Sequence, residues 1–201
     1  MSIGYYFITD ACLSRAGNES DVMSAAAAGV KIVQYREKCA GTRAMCDEAM
    51  RLKRAAKGAL FLINDRVDVA LAVDADGVHL GQDDMAYKTA RRLLGGNKMI
   101  GVTVHDLRQA IDAEKMGADY VGLAPIFSTG TKKDAGKPCG VKLIEKIKKE
   151  LSIPIVAIGG IDLANAEEVI AAGADGICAI SAVVTKRDVR STIKKFQRMF
   201  C

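Results

Sequence analysis

The chain of 201 residues has no tryptophan, three prolines and two histidines. Half of its residues are hydrophobic, and with so little proline this composition is typical of a helix-rich α/β domain. The length suffices for one domain with a sizeable core and is short for two. We therefore predict a single domain over residues 1–201.

The sequence also lacks the cysteine and histidine spacings of metal sites. Its six cysteines form no Cys-x-x-Cys pair, and its two histidines lie far apart, so neither a zinc site nor a disulfide framework is predicted. Residues 5–9 form an apolar run without a basic leader before it, and no apolar segment approaches the length of a membrane span. We expect a reduced, cytoplasmic setting and no membrane association.

Charge of one sign is not concentrated anywhere in the chain. The net charge is +5, and the densest basic group, at residues 142–149, is interleaved with apolar residues. That interleaving is typical of the exposed face of an amphipathic helix, so nucleic acid is not an expected partner. A mild basic excess is consistent with small anionic substrates.

Short apolar runs alternate with helical patterns along the whole chain. The predicted strands are residues 5–10, 31–37, 60–65, 77–81, 99–105, 120–127, 154–160 and 176–181. The predicted helices are residues 20–28, 42–57, 67–73, 84–94, 107–116, 141–151, 163–172 and 187–199. This alternation predicts a single-domain α/β fold, a parallel (β/α)8 TIM barrel, with a doubly wound open sheet as the alternative.

A faint repeat precedes alternate strands. It reads Ala-Gly-Val at 28–30, Asp-Ala-Asp-Gly at 74–77, Gly-Ala-Asp-Tyr at 117–120 and Gly-Ala-Asp-Gly at 173–176. A period of two strand-helix units indicates a four-fold pattern in a barrel. Because glycine suits the left-handed end of a helix, we assign these residues a structural role.

Two carboxylates end neighbouring predicted strands. Asp65 follows the third strand and Asp84 the fourth, and neighbouring parallel strands bring their ends to the same rim. Two carboxylates held there by strands are candidate ligands for a hard cation. The alternative is that each caps the helix that follows it.

The end of the second strand is basic. Gln34, Arg36 and Lys38 alternate along it and share one face, with Tyr35 and Glu37 on the other. Inward-facing cations are costly unless an anion or a carboxylate meets them. A diphosphate, bridged by a cation on the two rim carboxylates, would satisfy this group, and a core network of salt bridges remains the alternative.

The later strands predict a second anion site. The turns at Gly159-Gly160 and Ile180-Ser181 are predicted to open onto helices, and amide N–H groups in such positions bind phosphate. The glycines alternatively serve close packing. Two anion sites on one rim indicate two phosphorylated substrates, or one bisphosphorylated substrate.

The long polar loop after the sixth strand is predicted to be a lid over this rim. Its Thr129, Thr131 and Lys132 are candidate phosphate donors. The alternative is a loop that is merely solvated.

Six stretches together resemble the thiamine-phosphate synthase family. They are QYREK (34–38), NDRVDVALAVDADGVHLGQDD (64–84), IGVTVH (100–105), ADYVGLAPIFSTGTKKDA (118–135), PIVAIGGI (154–161) and GADGICAIS (173–181). The resemblance implies a transferase that joins 4-amino-2-methyl-5-hydroxymethylpyrimidine diphosphate to a thiazole phosphate and releases pyrophosphate. It also implies that the diphosphate leaves first and that the thiazole nitrogen captures the resulting carbocation, which calls for charge stabilisation on the leaving group.

The resemblance also implies residue roles. Asp65 and Asp84 correspond to Mg²⁺ ligands, and the catalytic residues would be Arg36, Lys38, Thr103 and Lys132. The substrate contacts would be Gln34, Tyr35, Arg36, Glu37, Lys38, Asn64, Thr103, Thr129, Gly130, Thr131, Lys132, Gly160, Ile180 and Ser181. Thr103 stands where the family often has serine, and Ser128 replaces a common proline.

Two alternatives remain beside the synthase. One is a thiazole tautomerase on the same barrel, and the other is a non-catalytic protein that binds thiazole or thiamine phosphate. Magnesium-dependent pyrophosphate release separates them from the synthase. The expected partners are small-molecule substrates, and a homo-oligomer remains open.

Overall fold

A computed structural model describes residues 3–130 and 136–200. The strand segments in these residues are β1 Gly4–Tyr5, β2 Phe7–Ile8, β3 Ile32–Tyr35, β4 Leu60–Asn64, β5 Gly77–Leu80, β6 Met99–Val104, β7 Tyr120–Leu123, β8 Ile155–Ile158 and β9 Gly176–Cys178. The helices are α1 Asn18–Ala27, α2 Thr42–Ala55, α3 Val67–Ala72, α4 Tyr87–Leu94, α5 Leu107–Met116, α6 Val141–Glu150, α7 Ala166–Ala171, α8 Ile180–Val184 and α9 Val189–Arg198.

The sheet closes on itself through its first strand. β1 pairs with β9, with Gly4 opposite Gly176, and β2 pairs with β3, with Phe7 opposite Val33. Every strand pair is parallel, and each remaining strand pairs with its neighbours in chain order. β1 and β2 are therefore two pieces of one barrel strand. The predicted eight-stranded TIM barrel is confirmed, and the open sheet is wrong.

The hydrophobic residues form two layers. An outer core fills the space between strands and helices, whereas an inner cluster lies inside the barrel and contains Tyr6, Ile8, Ile32, Leu62, Tyr120, Val156 and Cys178. Successive side chains of a strand point alternately into the outer core and into the inner cluster. Because both are apolar, each strand is a nearly continuous apolar run. The basic stretch at 142–149 lies in α6, which buries Ile144 and Ile147 and exposes Lys146, as predicted for an amphipathic helix. No helix in the described ranges is both long and apolar enough to cross a bilayer.

Several predicted boundaries shift near the rim. The eighth predicted strand ends at Cys178 because residues from Ile180 form α8, a short helix that the sequence did not predict. The sixth ends at Leu123, just before Pro125, which has no N–H with which to continue a ladder. The predicted helices 84–94 and 163–172 begin only at Tyr87 and Ala166, because turns precede them.

The aspartates of the sequence repeat accept hydrogen bonds at the N-terminal end of the barrel, opposite the rim where the strands end. The carboxylates of Asp76, Asp119 and Asp175 accept from the backbone N–H of Phe61, Ile100 and Ile155 at 2.7, 2.7 and 2.9 Å. Each bond joins the base of one strand to the strand before it. We call them the basal hydrogen bonds.

The first repeat has lysine instead of aspartate, at Lys31. There the N–H of Tyr5 donates to the side-chain oxygen of Gln197 at 3.0 Å. Gln197 lies in α9, so the last helix supplies the missing basal acceptor. The glycines of the repeat include Gly29, Gly117 and Gly173 at positive φ after helices, which confirms their structural role.

Candidate active site

A cavity opens where the barrel strands end. Residues from nearly every strand line it, and the predicted site residues among them are Gln34, Arg36, Lys38, Asn64, Asp65, Asp84, Thr103, Thr129, Gly160, Ile180 and Ser181. Parallel strands aim their C-terminal ends at the same rim, which explains this convergence. The cavity is therefore the candidate active site.

Two rim carboxylates lie next to each other. Asp65 forms an ion pair with the ammonium group of Lys38, and the Asp84 carboxylate accepts from the N–H of Gly81 at 2.7 Å. Burial raises the pKa of Asp84, and its hydrogen bond with Asp65 raises that pKa further. The two acids thus share one small volume at the ends of β4 and β5.

Neither aspartate caps a helix. α3 and α4 begin after Arg66 and Ala86, and no side chain caps either helix. Asp65 instead adopts a positive φ of 62°, an uncommon conformation for a residue with a side chain. Strain of this kind concentrates at functional sites. The capping alternative is wrong for both residues.

The carboxylates of this rim are candidate ligands for a divalent cation. Within the described ranges no group of three or more His, Cys, Asp or Glu side chains surrounds a common point. Mg²⁺, however, is commonly bound by one or two carboxylates together with waters and substrate phosphates. Asp65 and Asp84, adjacent and open to the cavity, fit that requirement.

Arg36 has a different carboxylate partner from Lys38. Its guanidinium lies 3.4 Å from Asp10, and its backbone N–H donates to the Thr9 hydroxyl at 2.9 Å. Asp10 is buried at the end of the first strand and was not among the predicted site residues. Its position after an apolar run was the available signal. The rim therefore has two separate ion pairs, Arg36–Asp10 and Lys38–Asp65, and not one core network, and both cations line the cavity.

Tyr35 and Glu37 face away from the cavity. The Tyr35 hydroxyl donates to Glu48 of α2 at 2.7 Å, and the Glu37 carboxylate accepts from the N–H groups of Cys39 and Ala40 at 2.6 and 3.1 Å. Alternation along the strand places Gln34 inward and Tyr35 outward. Neither residue is among those that line the cavity, so their contact with substrate stays a prediction from the family motif.

The glycine turn after β8 makes close contacts. Gly160 has a φ of 64°, and a Cβ atom there would lie 2.5 Å from the Ser128 carbonyl oxygen. Close packing is thus part of its role. The turn does not open directly onto a helix as predicted, because α7 begins only at Ala166. The Ile180-Ser181 turn does begin a helix, α8, at the cavity.

The loop after β7, which the sequence predicts to be a lid, is described only in part. Thr129 lines the cavity, whereas Gly130 is exposed and is not among the lining residues. Thr131 and Lys132, both predicted donors, lie outside the described residues.

A row of polar side chains crosses the barrel beneath the cavity. The Gln34 side-chain nitrogen donates to the Tyr6 hydroxyl at 2.7 Å, and the hydroxyls of Tyr6 and Tyr120 lie 2.8 Å apart. His79 joins the Tyr120 hydroxyl through Nδ1 and the Thr103 hydroxyl through Nε2, both at 2.8 Å. We call this row the interior relay.

Three members of the relay were absent from the predictions. Tyr6, His79 and Tyr120 lie within strand stretches, where aromatic side chains are ordinary core residues. The available signal was glycine in the neighbouring strands. A Cβ at Gly101 would lie 2.1 Å from the Tyr120 ring, and one at Gly122 would lie 2.8 Å from the His79 ring.

Comparison with known proteins finds relatives that share one family name and this fold. The family model described as "Thiamine monophosphate synthase" matches residues 5–183. A thiamine-phosphate synthase of Methanosarcina mazei is 56% identical over 195 residues, covering 96% of this chain and 81% of that protein. One of Chloroflexus aurantiacus is 51% identical over 197 residues, covering 96% and 91%. The solved structure of a thiamine phosphate pyrophosphorylase from Pyrococcus furiosus superposes with a TM-score of 0.90 at 41% identity, covering 98% of this chain and 95% of that one.

Proposed function

The chain belongs to the thiamine monophosphate synthase family and is a transferase of thiamine biosynthesis, and from this premise we propose how its cavity divides the reaction. The reaction condenses a pyrimidine with a thiazole. One side of the cavity, at the ends of β3, β4 and β5, would hold 4-amino-2-methyl-5-hydroxymethylpyrimidine diphosphate. The other side, at the ends of β8 and β9, would hold the thiazole phosphate. The adjacency of Lys38, Asp65 and Asp84 carries this proposal.

The diphosphate side combines cations with a carboxylate pair. Bound Mg²⁺, held by Asp65 and Asp84, would supply positive charge to the leaving diphosphate. Lys38 reaches Asp65 while half of its side chain remains exposed, so it can also meet a diphosphate oxygen. Arg36 lines the same side with its direction fixed by Asp10. Gln34 and Asn64 complete this end.

The thiazole phosphate side offers neutral donors. Thr129, Gly160, Ile180 and Ser181 line it, and amide N–H groups at such turns bind phosphate. Thr131 and Lys132 are proposed to complete it, from the family resemblance. Gly130, exposed beside Thr129, remains a proposed contact on the same ground.

The first requirement of the reaction is stabilisation of the leaving diphosphate. The methylene C–O bond breaks, its electron pair leaves with pyrophosphate, and the nitrogen lone pair of the thiazole then forms the new C–N bond. No proton is removed from either substrate in the first step. Cations around a departing anion therefore suit this chemistry better than a general base does.

The test is pyrophosphate release by the full chain, given both substrates with and without Mg²⁺, scored beside thiamine phosphate by mass. We expect release that requires both substrates and the metal. Thiazole phosphate binding without any release would contradict the proposal and favour the tautomerase or the binding protein. The cytoplasmic setting and the homo-oligomer stay predictions from sequence.

A further inference from the structure

The interior relay links Gln34 to Thr103 through Tyr6, Tyr120 and His79, and His79 also lines the cavity. Gln34 and Thr103 are its ends, and both line the cavity. We propose that the relay has a single hydrogen-bond direction, so that Tyr6, Tyr120 and His79 act as positioning residues that hold the Thr103 hydroxyl as a donor toward the bound diphosphate. The identity of that anion rests on the proposed function, but the direction of the relay does not.

The direction follows from the number of hydrogens available. The Gln34 side-chain nitrogen can only donate to the Tyr6 oxygen. Each phenol has one hydrogen, and a buried hydrogen without an acceptor costs free energy. The Tyr6 hydrogen is therefore directed to the Tyr120 oxygen, and the Tyr120 hydrogen to His79 Nδ1. A neutral imidazole that accepts at Nδ1 carries its proton on Nε2.

The last step sets the hydroxyl at the cavity. His79 Nε2 donates to the Thr103 oxygen over 2.8 Å. The single hydrogen of Thr103 is then free to point away from the ring, toward the cavity that Thr103 lines. A hydroxyl that donates suits an anionic oxygen, whereas the reversed direction would present lone pairs to it. The relay therefore decides whether Thr103 attracts or repels the leaving group.

The surroundings keep the relay intact. Tyr6 and Tyr120 are each 1% exposed, so water cannot replace a missing partner without opening the barrel. Burial raises the pKa of both phenols well above the ordinary value, which keeps their hydrogens in place. Backbone glycines at 101 and 122 leave the space that the Tyr120 and His79 rings occupy.

The second histidine provides an internal reference. His105 Nδ1 lies 2.7 Å from the Ala124 carbonyl oxygen, which can only accept. His105 therefore carries its proton on Nδ1. Because the chain has only two histidines, the proposal requires that they hold opposite tautomers, with the His79 proton on Nε2.

The decisive measurement is nitrogen NMR of the wild-type protein with ¹⁵N-labelled histidine, above the pH at which the rings are protonated. A His105→Asn variant serves only to assign the signals. We expect a single tautomer with the proton on Nε2 for His79 and on Nδ1 for His105. A proton on Nδ1 in both rings, or a mixture at His79, would overturn the proposal whatever the enzyme's activity.

A pair of tyrosine variants then tests the positioning role. Tyr120→Phe removes the middle hydroxyl, and Tyr87→Phe removes a buried hydroxyl that donates to Gly117 on the outside of the barrel. In Tyr120→Phe we expect a mixture of His79 tautomers and a fall in kcat on the order of tenfold, with little change in the KM of the thiazole phosphate. Tyr87→Phe should change neither.

Unchanged kcat in a folded Tyr120→Phe protein with mixed tautomers would refute the positioning role. If that variant does not fold, the tautomer measurement on the wild type still decides the direction of the relay, and Thr103→Val tests the hydroxyl at its cavity end. Condensation activity in the wild type tests the proposed function separately, so failure of one does not imply failure of the other.

Discussion

Lys38 and Asp65 form an ion pair that joins the segment after β3 to the end of β4. Asp84, from the next strand, lies against the same carboxylate. One ammonium group thus lies beside two carboxyl groups, and the proposed Mg²⁺ would supply further positive charge there.

Asp65→Asn should cut turnover by orders of magnitude while the fold stays intact. The amide keeps the shape of the side chain but removes the charge proposed to bind Mg²⁺. Pyrophosphate release measured against Mg²⁺ concentration tests this, with circular dichroism as the check on folding. Asp83→Asn makes the same charge change at an exposed neighbouring position and should behave as wild type. Equal activity of the two variants at all metal concentrations would exclude the ligand role.

Thr103→Val should lower kcat, and Thr103→Ser should restore most of it. Valine keeps the volume and β-branching but removes the oxygen that lies 2.8 Å from His79 Nε2. Serine keeps the oxygen and loses only a methyl group. Steady-state kinetics with both substrates distinguish the variants. If valine and serine were equally active, the hydroxyl would have no part in the reaction.

Gly160→Ala should destabilise the rim and raise the KM of the thiazole phosphate. The added Cβ would meet the Ser128 oxygen at 2.5 Å, and the φ of 64° is unfavourable for alanine. We expect a loss of about 1–3 kcal/mol in the free energy of unfolding. Gly96→Ala is the matched control, since nothing lies within 4 Å of its added Cβ. Chemical denaturation and substrate titration provide the two readouts.

Glu114→Gln should make the free energy of unfolding depend less on pH in the acid range. The Glu114 carboxylate accepts from the hydroxyl and N–H of Ser152, both at 2.7 Å, and these bonds lower its pKa. A lowered pKa contributes stability above the unfolded value of about 4.3, and that contribution is lost as pH falls through the folded pKa. The wild type should therefore be more stable than the variant at pH 7, and the difference should shrink below pH 4.

Urea unfolding of both proteins at pH 7 and at pH 3.5 measures this difference. Glu145→Gln, at an exposed position on α6, is the control for loss of a surface charge. A constant gap between wild type and Glu114→Gln at the two pH values would contradict the assignment.

Sequence patterns correctly predicted the features that depend on the order of strands and helices along the chain. Alternating runs predicted the barrel, and the chain order of neighbouring parallel strands predicted that Asp65 and Asp84 meet at one rim. Alternation also separated Gln34 from Tyr35 correctly. The family motif, taken as a whole stretch, also named Tyr35 and Glu37, whose side chains bond away from the cavity.

Features that depend on how strands stagger inside the barrel were not predictable. Tyr6, His79 and Tyr120 come from three distant strands, and only the closed barrel brings their polar atoms together. Asp10 was missed because its partner, Arg36, belongs to another strand. α8 was missed because its five residues continue an apolar run that also reads as strand.

The basal hydrogen bonds differ in how early they can form while the chain is being synthesised. Three of them join strands that follow one another, so each can form as soon as its second strand has been synthesised. The fourth joins Tyr5 to Gln197, which are 192 residues apart. This bond at the base of the first strand can therefore form only after the last helix has been synthesised.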